Sequence, residues 1–171
     1  MSQIVLFYTL PESKLDDLID AANPKTKQIE KGFLFFKSTT QETIDEFWDF
    51  LKAYATEQET YQYSAIGFLD LDLILMEKSK MIFSFGDKEI SEKLSTLRNS
   101  SISVFDKSSA NQVLDMLSGV SIESSDIKGY FRDSNRPFEE LGQEAIFAAL
   151  DHARKWFKSI NNGEIGLLIY S

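Results

Sequence analysis

The chain has 171 residues, 43% of them hydrophobic, with 18 Lys+Arg against 27 Asp+Glu and a formal net charge of −9. That length and apolar share predict a single domain over residues 1–171 with a substantial core, and argue against a largely disordered chain. The acidic balance predicts no general attraction to nucleic acid or anionic lipid. The absence of Cys excludes disulfides, thiolate metal sites and Cys nucleophiles, and one His excludes a His-rich metal centre.

Ile4 to Tyr8 is a continuous β-branched and aromatic run, the pattern of a strand buried on both faces. Pro11 ends it. Leu15, Leu18, Ile19 and Ala22 then recur at helical spacing, with Ser13 as candidate cap and Asn23-Pro24 as the stop. The polar stretch Lys25 to Lys31 leads to Gly32 and a short apolar run, Phe33 to Phe36, read as a strand or buried loop. Thr39 with Glu42 fits a capping box. It would open a helix whose inner face carries Ile44, Phe47, Trp48, Leu51, Tyr54 and Ala55, with Asp45, Asp49 and Lys52 opposite. Glu57 to Ser64 reads as a loop.

Phe68 to Met76 alternates in part, so both a strand and a short helix fit it. Met81 to Phe85 reads as a short strand or extended loop. Asp87 caps a predicted helix from Lys88 to Leu97, and Asp106 to Ser109 caps another through Val113, Leu114 and Leu117 to Gly119. Ile102 to Phe105 is apolar between them. Gly119 to Asp133 has no defined pattern. The strongest helix comes last: Ser134 or Asn135 as cap, Pro137 in the first turn, Glu139 and Glu140 at the positive dipole end. Phe138, Gly142, Ala145, Ala149, Ala153, Trp156 and Ile160 share its inner face, and Phe147 falls outside it, needing a covering loop or an interface. Asn161-Asn162-Gly163 stops the helix before a closing strand, Ile165 to Tyr170. The expected fold is mixed α/β (α+β), a single domain whose terminal strands lie in the interior of a central sheet, side by side, with helices packed on it. No stretch reaches the roughly 20 apolar residues of a membrane span, and the chain is expected to be soluble and cytoplasmic.

No nucleotide-binding glycine motif, nucleophile elbow, HExxH or EF-hand loop occurs in the sequence. No cofactor and no metal is therefore expected. His152 sits near the edge of the last helix's apolar face, and Asp151 beside it points about 100° away, so a structural or surface role is expected. Five residues remain as candidate binding positions: Asp45, Trp48, Asp49, Asp70 and Asp72. Trp48 beside Asp49 could frame a polar ligand, but the helical wheel points one inward and the other outward. Asp45 and Asp49 could approach one cation, yet hard cations want about six oxygen ligands. Asp70 and Asp72 would point the same way on a strand, as acid–base chemistry requires.

The order of segments resembles the YfbM-like family, a bacterial domain family of unknown function. The likeness runs through Ile4 to Ala22, the I-D-E-F-W-D-F-L helix at Ile44 to Leu51, and Ala65 to Leu97 with its aromatic segment Met81 to Gly86. It ends in Gly129-Tyr130-Phe131, A-R-K-W-F at Ala153 to Phe157, and N-N-G-E before the final strand. It implies a mixed α/β fold and no activity. The expected function is a non-catalytic binding or interaction module, with a basic protein, as for an immunity-type partner, as its possible target. The steering charge is sought at Glu42, Asp45, Glu46 and Asp49, and at Glu123 and Asp126. The alternatives are a small carboxylate-dependent enzyme using Asp70 and Asp72, and a small-ligand binder with an aromatic cleft at Trp48 and Tyr54.

Overall fold

The computed structural model describes residues 4–31 and 38–171. In chain order the elements are β1 (Val5–Pro11), α1 (Leu15–Ala22), β2 (Lys25–Lys31), β3 (Ser38–Ile44), α2 (Phe47–Tyr54), β4 (Thr56–Glu57) and α3 (Ile66–Lys78). They continue with α4 (Lys88–Arg98), β5 (Ser101–Phe105), α5 (Lys107–Gly119), α6 (Ser124–Asp133), α7 (Glu140–Ser159) and β6 (Glu164–Tyr170). The two terminal apolar runs do pair, antiparallel and over their full length, from Val5↔Tyr170 to Pro11↔Glu164. They form the centre of a four-stranded antiparallel sheet ordered β4-β1-β6-β5.

Both faces of this sheet are covered, which is why its strands read as unbroken apolar runs rather than alternating ones. Val5, Phe7, Phe105, Leu168 and Tyr170 face a core built with α3, α5, α6 and α7. Tyr8, Leu10, Ile102, Val104, Ile165, Leu167 and Ile169 face a second core closed by α1, α2 and α4. Trp156 is the keystone of the first core. Its indole lies between the rings of Phe7 (5.3 Å, 8° between planes) and Phe68 (5.0 Å, 4°), and its Nε1–H donates to the Glu59 carbonyl at 3.0 Å. Gly166 on β6 is required by close approach: a Cβ there would lie 2.5 Å from Ile160 Cδ1 and 2.7 Å from Phe7 Cζ.

Two of the expected helix caps are present. Asp87 accepts from the Ile90 N–H at 3.0 Å and Asp106 from the Ser109 N–H at 2.6 Å, opening α4 and α5. Elsewhere tertiary context overrides the local pattern. Thr39 and Glu42 form no capping box, because both lie in β3. That strand pairs with β2 as an antiparallel hairpin that sets Lys27 opposite Glu42, and its threonines suit a strand. α2 starts later, at Phe47, whose N–H is capped by Asp45 Oδ1 at 3.1 Å. Of its expected inner face Phe47 and Leu51 are buried, Trp48 is half-buried, and Ile44 and Tyr54 are exposed. α1 starts from Lys14 with no side-chain cap, so Ser13 does not act as one.

Residues 82–85 form a 3-10 turn rather than a strand, and the undefined stretch after Gly119 contains α6. α6 is opened by a reciprocal capping box between Glu123 and Asp126. Ser134 and Asn135 end α6 instead of opening α7, and Pro137 and Phe138 precede α7. Phe147 is half-buried and lines a surface depression together with Val120 and Ile122. The apolar run Phe33 to Phe36 lies outside the described residues, apart from which α3 remains the decisive segment. It is a helix of 13 residues, not a strand.

Candidate functional site

α3 is apolar on nearly every side, so no stripe betrays its period. Its inner face buries Phe68, Leu71, Ile74 and Leu75. Its outer face leaves Ile66 (49% exposed), Leu69, Leu73 and Met76 (52%) in solvent, spaced so that they fall on one stripe. α3 crosses α7 closely, because Gly67 lacks the Cβ that would meet the Tyr61 hydroxyl and the Ala145 Cβ. Tyr61 in turn donates to the Ala145 carbonyl at 2.8 Å, and burial raises its phenol well above the ordinary range.

On a helix, positions two apart differ by about 200°, so Asp70 and Asp72 point to different places and form no carboxylate pair. Asp72 is 1% exposed and faces the 3-10 turn. Its Oδ1 accepts the Ile82 N–H, and its Oδ2 has no partner among the described residues. Burial pushes this carboxyl up to about 7, against the lowering effect of the Ile82 and Phe83 N–H groups. Asp72 pins a turn and is closed to solvent.

Asp70 lies at the border of the exposed stripe, and its side chain is only 6% exposed. Arg136 meets it end-on, Nη1 to Oδ1 at 2.6 Å and Nη2 to Oδ2 at 3.0 Å. The Tyr130 hydroxyl donates to the same Oδ1 at 2.8 Å and is itself 3.4 Å from Nη1. Desolvation, with Asp70 second, raises the Tyr130 phenol to about 12.

Local structure delivers Arg136 to this place. α6 ends in a Schellman motif: Asn135 takes the left-handed conformation (φ 53°) and donates to the Arg132 carbonyl at 3.0 Å, while the Arg136 N–H donates to the Phe131 carbonyl at 2.8 Å. The contact that accompanies such motifs is present too, with the guanidinium 4.9 Å from the centre of the Phe131 ring.

Asp70 and Arg136 line a cavity of about 330 Å³ between α3, the α6–α7 turn and the start of α7. Ile66, Gly67, Phe131, Pro137, Leu141 and Ala145 supply its apolar wall, and Glu139 adds a carboxylate. Leu141, 62% exposed, stands at its edge, so cavity and α3 stripe are continuous through Ile66 and Leu141.

The remaining candidates do not converge on this site. Asp45 receives both Arg98 nitrogens at 2.7 Å, and Arg98 lies 4.6 Å over the Phe47 ring. The guanidinium beside it holds the Asp45 carboxyl below its ordinary value, so Asp45 is a structural clamp at the head of α2. Trp48 packs edge-on against Phe47 and borders a shallow depression with Arg98 and Tyr170. Asp49 is exposed, 4.0 Å from Lys52, and shares no wall with Trp48. Tyr54 lies tilted against Phe50 beneath Lys14, and among the described residues it lines no cleft with Trp48.

The two acidic clusters are also committed locally: Glu46 pairs with Lys25 at 3.0 Å, and Asp126 pairs with Lys78 at 2.8 Å besides capping α6. His152 is held in the protein, Nδ1 to the Ala148 carbonyl at 2.8 Å with Tyr61 and Trp156 edge-on. Among the described residues no group of three or more His, Asp or Glu is placed to hold a metal ion. Among the described residues no helix is long and apolar enough to cross a membrane.

No protein-family model matches the chain, and neither a curated protein nor a solved structure matches it.

Proposed function

We propose that the chain is a non-catalytic interaction module that engages a basic protein through the outer face of α3 and the adjoining cavity. The observation that carries this reading is the stripe Ile66, Leu69, Leu73 and Met76, continued by Leu141, on a helix whose other faces are already packed. Large contiguous apolar surface of this kind marks contact sites. Glu77 on α3 and Glu139, which lines the adjoining cavity, add carboxylates to this face in a chain of net charge −9. An amphipathic segment with a cationic rim is complementary to that arrangement. The carboxylate-enzyme alternative loses its support, since Asp70 is neutralised by Arg136 and Asp72 is sealed in the core. YfbM-like descent is retained as a proposal on the order of the sequence segments alone.

The test is affinity capture on the immobilised wild-type chain and on the Leu69→Glu/Leu73→Glu chain, at low salt and at 1 M salt. A cationic protein retained by the wild type, lost with the double substitution and released by salt supports the reading. Equal retention by both chains, or retention of neutral and acidic proteins only, overturns it.

A further inference from the structure

Arg136 has five N–H donors, and the structure uses only some of them. Nη1 and Nη2 each give one to Asp70, and Nη1 also lies 3.4 Å from the Tyr130 hydroxyl. The Nε–H and the outer Nη2–H, which lie side by side on the other edge of the guanidinium, make no hydrogen bond among the described residues. Arg136 is 39% exposed and lines the cavity, so this second fork is open to an entering group.

Charge decides which group that is. The Asp70 carboxylate neutralises the guanidinium, and Glu139 lines the same cavity. An entering carboxylate would face two negative groups and one positive one. An entering cation would find both Asp70 oxygens taken by Arg136, would have Glu139 as its one remaining carboxylate, and would lie beside the guanidinium. A neutral carbonyl oxygen has two lone pairs for the two free N–H groups and brings no net charge into a poorly solvated place. Size decides the rest. The cavity of about 330 Å³ stands at the small end of ligand pockets, which run from about 300 to 1,000 Å³. That suits one side chain with its peptide unit, and its wall is apolar.

We propose that the cavity is an anchor site for a single apolar residue flanked by neutral amides, its side chain seated against Ile66, Leu141 and Ala145 and its carbonyl oxygen accepting from the free edge of Arg136. As the anchor of a partner segment the site rests on the reading of the α3 face as a protein-contact surface. Interfaces concentrate their affinity in such pockets, where one buried side chain is surrounded by flatter apolar contact.

The experiment uses the full chain and N-acetyl-leucinamide as probe, read by amide chemical-shift changes. Saturable binding at roughly millimolar concentration, the range open to so small a ligand, with shifts centred on Gly67 and Gly142, supports the proposal. N-acetyl-leucine, which carries a carboxylate, binds at least tenfold more weakly. Arg136→Lys keeps a positive charge beside Asp70 but loses the second fork, and weakens the probe at least tenfold. Leu141→Trp, at an exposed position, blocks the cavity without changing the melting temperature.

The proposal is overturned by absence of saturable binding, by a preference for the carboxylate probe, or by Arg136→Lys binding like wild type. The Leu69→Glu/Leu73→Glu chain separates the two readings. It keeps probe binding if the cavity assignment holds, whatever becomes of protein capture. Capture that depends on the stripe while the probe never binds leaves the contact surface standing and removes the anchor.

Discussion

Asp72 gives the fold a pH dependence whose sign is fixed by its surroundings. The carboxyl titrates near 3.8 in an unfolded chain and at about 7 in the folded one, because burial disfavours its charged form. Between those values the folded state holds a proton that the unfolded state has released. Stability therefore falls as pH rises through this window and levels off above about 7. Moving a carboxyl that far corresponds to about 4 kcal/mol at 1.36 kcal/mol per pK unit, of which about 3 kcal/mol falls between pH 5 and pH 8.

Asp72→Asn keeps a carbonyl oxygen for the Ile82 N–H and cannot ionise. Other carboxylates titrate alike in both proteins, so the difference between them isolates position 72. Urea denaturation from pH 4 to pH 8 is the assay. The stability of Asp72→Asn relative to wild type should rise with pH by a few kcal/mol and then flatten. Parallel curves for the two proteins across the whole range would refute the argument that Asp72 is protonated in the fold.

Three further outcomes follow from packing. Trp156→Ala removes a side chain held between two rings and should cost about 3–5 kcal/mol, whereas half-buried Trp48→Ala should cost about half that, both read from denaturation midpoints. Gly166→Ala should destabilise by about 1–3 kcal/mol, because its methyl would overlap Ile160 and Phe7, and a neutral result would show that these side chains move aside freely. His152→Gln should leave protein capture unchanged and shift the melting temperature by only a few degrees, since the ring bonds its own helix and meets its neighbours edge-on. A loss of capture in a folded chain would give His152 a role that its surroundings do not suggest.

What could be read from the sequence was what neighbouring residues decide. Asp87 and Asp106 cap helices three residues away, and the terminal runs are apolar enough to require burial on both faces. α3 was ambiguous for a physical reason: a helix buried on one side and apolar on the other has almost no moment, so its period cancels. The capping box before α6 has the right spacing, Glu123 to Asp126, but not the usual Ser/Thr and Glu/Gln signature. Thr39 and Glu42 have that spacing too, yet β2 outbids the cap by pairing with β3. Of the site, the sequence offers Asp70 only as one of a pair with Asp72. Its true partner, Arg136, lies 66 residues away. No local pattern links two such positions. The nearest available signal was Asn135, a residue that tolerates the left-handed turn that aims Arg136.

The ion pair at the cavity makes a last prediction possible, because its contribution to stability and to selectivity differ. Asp70 is nearly buried, but the Arg136 side chain is 39% exposed, so losing the pair does not leave a fully buried charge. Asp70→Asn keeps an oxygen for Tyr130 and Arg136 and should cost only about 1–2 kcal/mol, between the values for exposed and buried pairs. Its effect on the cavity should be larger. With Asp70 neutral, the guanidinium is no longer balanced, and the free edge of Arg136 becomes a fork for a carboxylate. The order of the two probes should therefore reverse, N-acetyl-leucine gaining on N-acetyl-leucinamide by tenfold or more, and the gain should shrink as salt is raised. Titrating both probes into wild type and Asp70→Asn at low and high salt measures this. A folded variant in which the neutral amide is still preferred by the same factor would show that Asp70 does not set the charge of the site, and the selectivity argued from it would fall.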